Sequence, residues 1–169
     1  MTAYRYELAR RADAPLLATM SRRLIEAGLR PAWDASRIVW HVRDAESVVL
    51  LARTEFEVAG FAIMRYGAER AHLNLLAVEP RHRRRGVGRG LLGWLEETAR
   101  TAGTFTIALE LRASNTAAQA FYRACGYREC GQVPGYYQGV EAALRYTRDL
   151  RVARGQSAPP AVSPEDPGR

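Results

Sequence analysis

One stretch, Leu73 to Leu95, constrains this chain more than any other. The apolar run Leu73 to Val78 has strand character and stops at Glu79-Pro80, since proline has no amide hydrogen to give a ladder. Arg81, Arg83, Arg84, Arg85 and Arg89 follow, with Gly86-Val87-Gly88 set among them. Leu91, Leu92, Trp94, Leu95, Thr98, Ala99 and Ala102 then recur at helical spacing. A strand, a basic glycine loop and a helix start together cradle an anion. Glycines let the backbone approach it, the first helical amides point at it, and the helix dipole favours negative charge. Arginines add charge and forked donors.

Two common phosphate motifs are excluded. A dinucleotide fingerprint needs a third glycine three residues on, where Leu91 stands. A P-loop needs Gly-Lys-Ser/Thr, and the chain contains no lysine. The net charge of +7 is therefore all arginine. Most of those arginines are scattered singly among apolar positions, as on a solvated surface, and only Arg81 to Arg89 clusters; a nucleic-acid partner is not expected. No apolar run approaches the ~18–20 residues of a membrane span, and MTAYRYELARRAD lacks a signal-peptide core. Cys125 and Cys130, five apart, match no zinc or disulfide framework, so neither a metal nor a covalent staple is expected. The chain reads as cytoplasmic, monomer or homodimer.

In order, Tyr4 to Leu8 reads as a strand. Asp13-Ala14-Pro15 opens a helix with Leu16, Leu17, Met20, Leu24 and Ile25 on one face, and Gly28 closes it. Asp34 to Val42 reads as a second helix, with Ile38, Val39 and Val42 inward. Ser47 to Ala52 and Val58 to Tyr66 make a hairpin. After the long helix, Thr104 to Leu111 is a strand, Thr116 to Cys125 a helix, and Tyr127 to Gln132 with Glu141 to Leu150 a final strand pair. VPGYYQG between them reads as a loop. Residues 1–150 form one domain, an α/β (α+β) fold with a single mixed, mostly antiparallel sheet and helices on both faces. Residues 151–169 hold four of the eight prolines and read as a disordered tail.

Three segments line up with this plan: Arg83-Arg84-Arg85-Gly86-Val87-Gly88, the strand end LELRASN (109–115), and AFYRACGY (120–127). Together they resemble the GCN5-related N-acetyltransferase (GNAT) family. With Gly135-Tyr136-Tyr137 and Glu141-Ala142, the pattern is most similar to the bacterial ribosomal-protein alanine N-acetyltransferases. The similarity is dense over Leu73 to Leu150; an asparagine usual in those enzymes is replaced by Leu75.

The resemblance implies transfer of an acetyl group from acetyl-coenzyme A to a primary amine in a ternary complex, without a metal. It places the pyrophosphate on amides of Arg84, Arg85, Gly86, Val87, Gly88 and Arg89, with Gly88 hard to replace. The pantetheine arm would pair with Leu76, Ala77 and Val78, where a bulge splays the central strand from Thr104–Leu111. Asn115 either contacts the pantetheine or caps a helix. Glu110 matches the family's base and Tyr122 its proton donor, while Tyr136, Tyr137 and Glu141 match the wall that holds the acceptor. An ordinary glutamate, pKa ~4.3, is weak against an α-amine at ~7.7–8.0, so burial would have to raise it or a water relay the proton. Its alternative is a solvent-facing glutamate or one paired with Arg112. Phe121 is assigned to a buried stripe with Ala117, Ala120 and Ala124, turning Tyr122 to another edge. The Val78 amide, beside the bulge, is the expected oxyanion donor. His72 enters the central strand and could line the acceptor cleft; a satisfied edge histidine is the alternative. The acceptor is a protein N-terminal amine or a small-molecule amine, and the rivals of another class are a non-catalytic coenzyme A binder and a nucleic-acid module.

Overall fold

Proline and glycine set the bends. Pro15 lies in the first turn of a helix that ends before Gly28 (φ +80°), and Gly126 (φ +88°) turns the chain after another. A computed structural model describes residues 2–153. The elements are β1 (Arg5–Leu8), α1 (Ala14–Leu24), α2 (Ala35–Arg43), β2 (Ser47–Arg53), β3 (Val58–Tyr66), β4 (Ala71–Val78), α3 (Val87–Thr101), β5 (Thr106–Arg112), α4 (Thr116–Ala124), β6 (Arg128–Tyr137) and β7 (Glu141–Asp149). Short 3-10 turns cover Arg11–Asp13 and Pro80–His82. The order is the one expected. Side-chain caps open two helices: Asp34 accepts from the Arg37 amide, and Asn115 from that of Ala118.

The strands form a seven-stranded sheet, β1-β2-β3-β4-β5-β7-β6, antiparallel except where β4 meets β5. Helices α3 and α4 cover one face. There Leu91, Leu92, Leu95 and Ala99 of α3 pack with Ile107, Leu109, Tyr122, Cys125 and Tyr146. Helices α1 and α2 cover the other, where Leu17, Met20 and Ile38 meet Leu51, Phe61, Ile63, Leu75 and Ala77. Each such large side chain contributes about 1.5–3 kcal/mol on burial. Beneath α3, Glu96 and Arg148 are buried together as an ion pair with Nη1 2.5 Å from Oε1. The Tyr127 hydroxyl donates to the same Oε1 at 3.3 Å.

Strand β4 carries the bulge, and it sits at Asn74. Met64 pairs with Leu73 and the next residue, Ile63, with Leu75, leaving Asn74 outside the register. The extra residue turns the strand over. Ala71 and Leu73 belong to the α3 face, Leu75 and Ala77 to the α1 face, although buried and half-buried residues alternate without interruption along the sequence.

Four expectations are corrected. Tyr136 and Tyr137 lie in β6, across an irregularity between Val133 and Tyr137, and not in a loop. Leu16 is exposed, because Ala14, Leu17, Ala18 and Met20 take the buried face of α1. In α4 the stripe is the reverse of the assignment: Tyr122 and Cys125 are buried, Phe121 half-buried, and Ala117, Ala120 and Ala124 exposed. The bulge is four positions before Val78, not beside it. The expected tail lies, beyond its first three residues, outside the described residues.

Candidate active site

The loop after β4 has the backbone of an anion cradle. Arg84 (φ +61°) and Gly86 (φ +81°) are both left-handed, and Gly86 is the N-cap of α3. The Gly90 amide bonds back to the Gly86 carbonyl at 2.9 Å, so those of Val87, Gly88 and Arg89 precede the intrahelical ladder and have no carbonyl to bond. A β-carbon on Gly88 would stand 3.1 Å from Cζ of Phe121, so α4 closes on the loop at this glycine. Arg81 is paired with Glu57. Arg84, Arg85 and Arg89 are exposed and, among the described residues, have no carboxylate partner.

Beside the loop, β4 and β5 part. Only Ala71 with Ile107 and His72 with Ala108 are paired, in parallel; after His72 the strands diverge. The Glu79 amide bonds Ala59 on β3 at 2.8 Å. Alternation along an antiparallel ladder then turns Ala77 and Leu75 toward β3, and the amides of Val78 and Leu76 toward the gap. Arg83 Nε donates to the Val78 carbonyl at 3.1 Å, which occupies that acceptor and leaves the Val78 amide directed into the cleft. An extended chain carrying amides fits such an edge as an added strand, with its phosphates on the loop.

Glu110 points to the α1 face of β5, since Leu109 and Leu111 are buried on the other. Both its oxygens are engaged: Oε2 by His72 Nε2 at 2.5 Å, and Oε1 by Arg145 Nε at 3.4 Å. The hydrogen bond with His72 holds the carboxyl below its usual range, against burial, with Arg145 adding to the effect. Of the two routes considered, a rise by burial is not the one found, and the alternative pairing with Arg112 is not made. Arg112 bonds Glu141 at 2.6 Å and the Ala27 carbonyl at 2.6 Å. Glu141 is also engaged by the Ser114 amide at 3.1 Å and by its hydroxyl, so it braces the β5 end against β7.

Tyr122 rises from α4 on the opposite face, packed edge-on to Phe121 and Tyr127. Burial pushes its phenol far up, reinforced by Cys125 and Tyr137, so it is a neutral O–H at physiological pH. Tyr137 is raised chiefly by burial and feels Tyr136 and Glu110 as well. It therefore lies within electrostatic reach of both Glu110 and Tyr122, the groups on either face of β5.

The outer wall comes from the chain's first third. Gln138 holds both the amide and the carbonyl of Arg30, and Arg37 stacks 3.9 Å over Trp33. Burial raises the Tyr136 phenol, Glu110 adds to this, and Arg145 and Arg37 act against it. Sequence reading missed Arg145, Gln138 and Arg37. Nothing local marks Arg145 or Gln138, since their partners Glu110 and Arg30 lie far away in the chain.

The model of the acetyltransferase (GNAT) family matches residues 15–127, and the chain belongs to that family. It is 42% identical over 90 residues to the [ribosomal protein bS18]-alanine N-acetyltransferase of Salmonella typhimurium, covering 52% of this chain and 61% of that one. The chain thus matches less than two thirds of that relative's length. The crystal structure of the ribosomal-protein-S18-alanine N-acetyltransferase from Escherichia coli superposes with a TM-score of 0.76 at 26% identity, over 92% of this chain and 99% of that one. That of nourseothricin acetyltransferase gives 0.73 at 26% identity, over 88% and 99%.

Proposed function

We propose that this protein is a cytoplasmic N-acetyltransferase that moves an acetyl group from acetyl-coenzyme A to a primary amine, with a protein N-terminal α-amine as the preferred acceptor. The parting of β4 from β5 carries this reading. It opens a cleft whose edge amides, Leu76 and Val78, run directly into the cradle at Gly86 to Arg89. Those amides hold the pantetheine arm and pyrophosphate, while Arg84 and Arg85 add charge at the rim. The Val78 amide donates to the oxyanion as the amine adds to the thioester carbonyl. Glu110 with His72 forms the basic side of the cleft, and Tyr122 supplies a proton to the departing thiolate. Asn115 spends its carboxamide oxygen on the helix cap, which leaves its NH2 for the pantetheine.

Tyr136 and Tyr137, backed by the Gln138–Arg30 clamp, make the acceptor wall. Similarity to nourseothricin acetyltransferase favours a second reading, a small-molecule amine. Coenzyme A release is to be measured over peptides with varied N-termini and over a panel of small amines, including aminoglycoside and streptothricin types. We expect turnover with peptides bearing a small first residue. Turnover confined to small amines establishes the second reading, and none with any acceptor defeats both.

A further inference from the structure

Resting on that reading, we propose that His72, not Glu110, takes the proton from the acceptor's ammonium, and that Glu110 is its positioning residue. The pair meets where the cleft begins. His72 is the last residue of β4 paired to β5, and Glu110 stands two positions beyond its partner Ala108 on the same face. Nε2 of His72 lies 2.5 Å from Glu110 Oε2, and the other carboxylate oxygen faces Arg145. Glu110 is thus spent on two protein partners. The His72 side chain is 40% exposed against 14% for Glu110, so the imidazole is the more open of the two to an arriving amine. Its Nδ1 has no hydrogen-bond partner among the described residues.

A carboxylate that accepts from one imidazole nitrogen fixes the tautomer and leaves the other nitrogen as the acceptor, as in Ser-His-Asp triads. Magnitudes favour the same assignment. Transfer from an α-ammonium (pKa ~8) to an ordinary carboxylate (~4.3) is uphill by about 10⁴-fold. Glu110 lies on the worse side of the carboxylate figure. The imidazole meets Glu110 on β5 and lies in register with Arg65 on β3, while Arg145 of β7 and Tyr136 and Tyr137 of β6 act on Glu110. Arg65 is itself held by Asp44 and Glu46.

The step balances. One ammonium N–H bond breaks and its proton goes to Nδ1, giving an imidazolium whose Nε2–H still donates to Glu110. The freed lone pair forms the N–C bond and the C–S bond breaks. The amine's second proton leaves the tetrahedral adduct and replaces the one Tyr122 hands to sulfur. The imidazolium returns its proton to water.

Three variants and one spectrum test this. With the best peptide or amine, His72→Gln is expected to lower kcat about 100-fold. Acetyl-coenzyme A affinity by calorimetry should stay within twofold. Glu110→Gln keeps an acceptor for Nε2–H but removes the charge, so kcat should fall about tenfold and the acid limb of the pH–kcat/KM profile should move to lower pH. His72→Asn should not restore the rate. In the wild-type protein, nitrogen-15 shifts of His72 should show Nε2 protonated and Nδ1 bare above pH 8. Turnover of His72→Gln within twofold of wild type, or a proton on Nδ1, overturns this proposal and leaves the acetyltransferase reading standing. No turnover by wild type with any acceptor overturns both.

Discussion

Gln138 and Arg30 are joined at two points: the Gln138 Oε1 accepts from the Arg30 amide at 3.0 Å, and its Nε2 donates to the Arg30 carbonyl at 2.7 Å. The carboxamide thus replaces a strand neighbour for one residue of the α1–α2 connection. Gln138 has φ +56°, a left-handed conformation that asparagine tolerates well. Gln138→Asn therefore preserves the turn while falling one methylene short of Arg30. Losing roughly 1 kcal/mol of wall geometry should raise acceptor KM about fivefold. Steady-state kinetics with acetyl-coenzyme A saturating check it, and its own KM should not move.

Tyr122→Phe deletes one hydroxyl from a buried site whose ring contacts with Phe121 and Tyr127 remain. Stability should change little, and kcat should fall about 100-fold if the phenol protonates the thiolate. Acetyl-coenzyme A affinity should be unchanged. A single-turnover assay separates this from slow product release, and an unaltered chemical step would remove Tyr122 from the mechanism.

The Glu96–Arg148 pair makes a stability prediction independent of catalysis. Both side chains are almost fully buried, at 2% and 4% exposed. Glu96→Gln leaves a buried guanidinium without its counter-charge and should cost about 3–5 kcal/mol. Replacing both, as Glu96→Leu with Arg148→Met, should recover most of that loss. Urea unfolding of the three proteins measures the difference.

His41 sets a pH dependence of stability. The imidazole is buried, stacked on Trp33 and edge-on to Trp40, with Nδ1 2.9 Å from the Ser47 hydroxyl. Burial lowers its pKa, and Arg37 adds to this. The unfolded chain therefore binds the proton first. The stabilisation is fully present above about pH 6.5, the ordinary histidine value, and is lost as pH falls toward the lower folded value. Urea midpoints at pH 5 and 8 should differ more for the native chain than for His41→Gln.

Much of this architecture was legible because local chemistry decides it. Pro80 ends β4, the Asp34 and Asn115 side chains cap the helices they precede, and Gly28 and Gly126 turn the chain, each within a few residues of itself. What could not be read depends on partners distant in sequence. Helix α4 buries Tyr122 because the sheet lies beneath it and α3 takes Phe121 against Gly88; its small alanines are periodic but face outward. Placing Tyr136 and Tyr137 in a strand required knowing that β7 pairs around them. Glu110 was found by motif, yet its electrostatic state is set by His72 from β4 and Arg145 from β7. Burial alone pointed the other way. The hydrogen bond decided the sign.

The bulge at Asn74 changes which core the buried residues of β4 join. Ala71 and Leu73 before it belong to the α3 core and Leu75 and Ala77 after it to the α1 core, while half-buried Leu76 and Val78 pack back on the α3 side. Deleting Asn74 would leave one regular strand, and either Ala71 and Leu73 or Leu75 and Ala77 would change sides. The same deletion would bring His72 one step, about 3.3 Å, nearer to Val78 along the strand. One residue of length thus sets the span along β4 between His72 at the start of the gap and the Val78 amide at its far end.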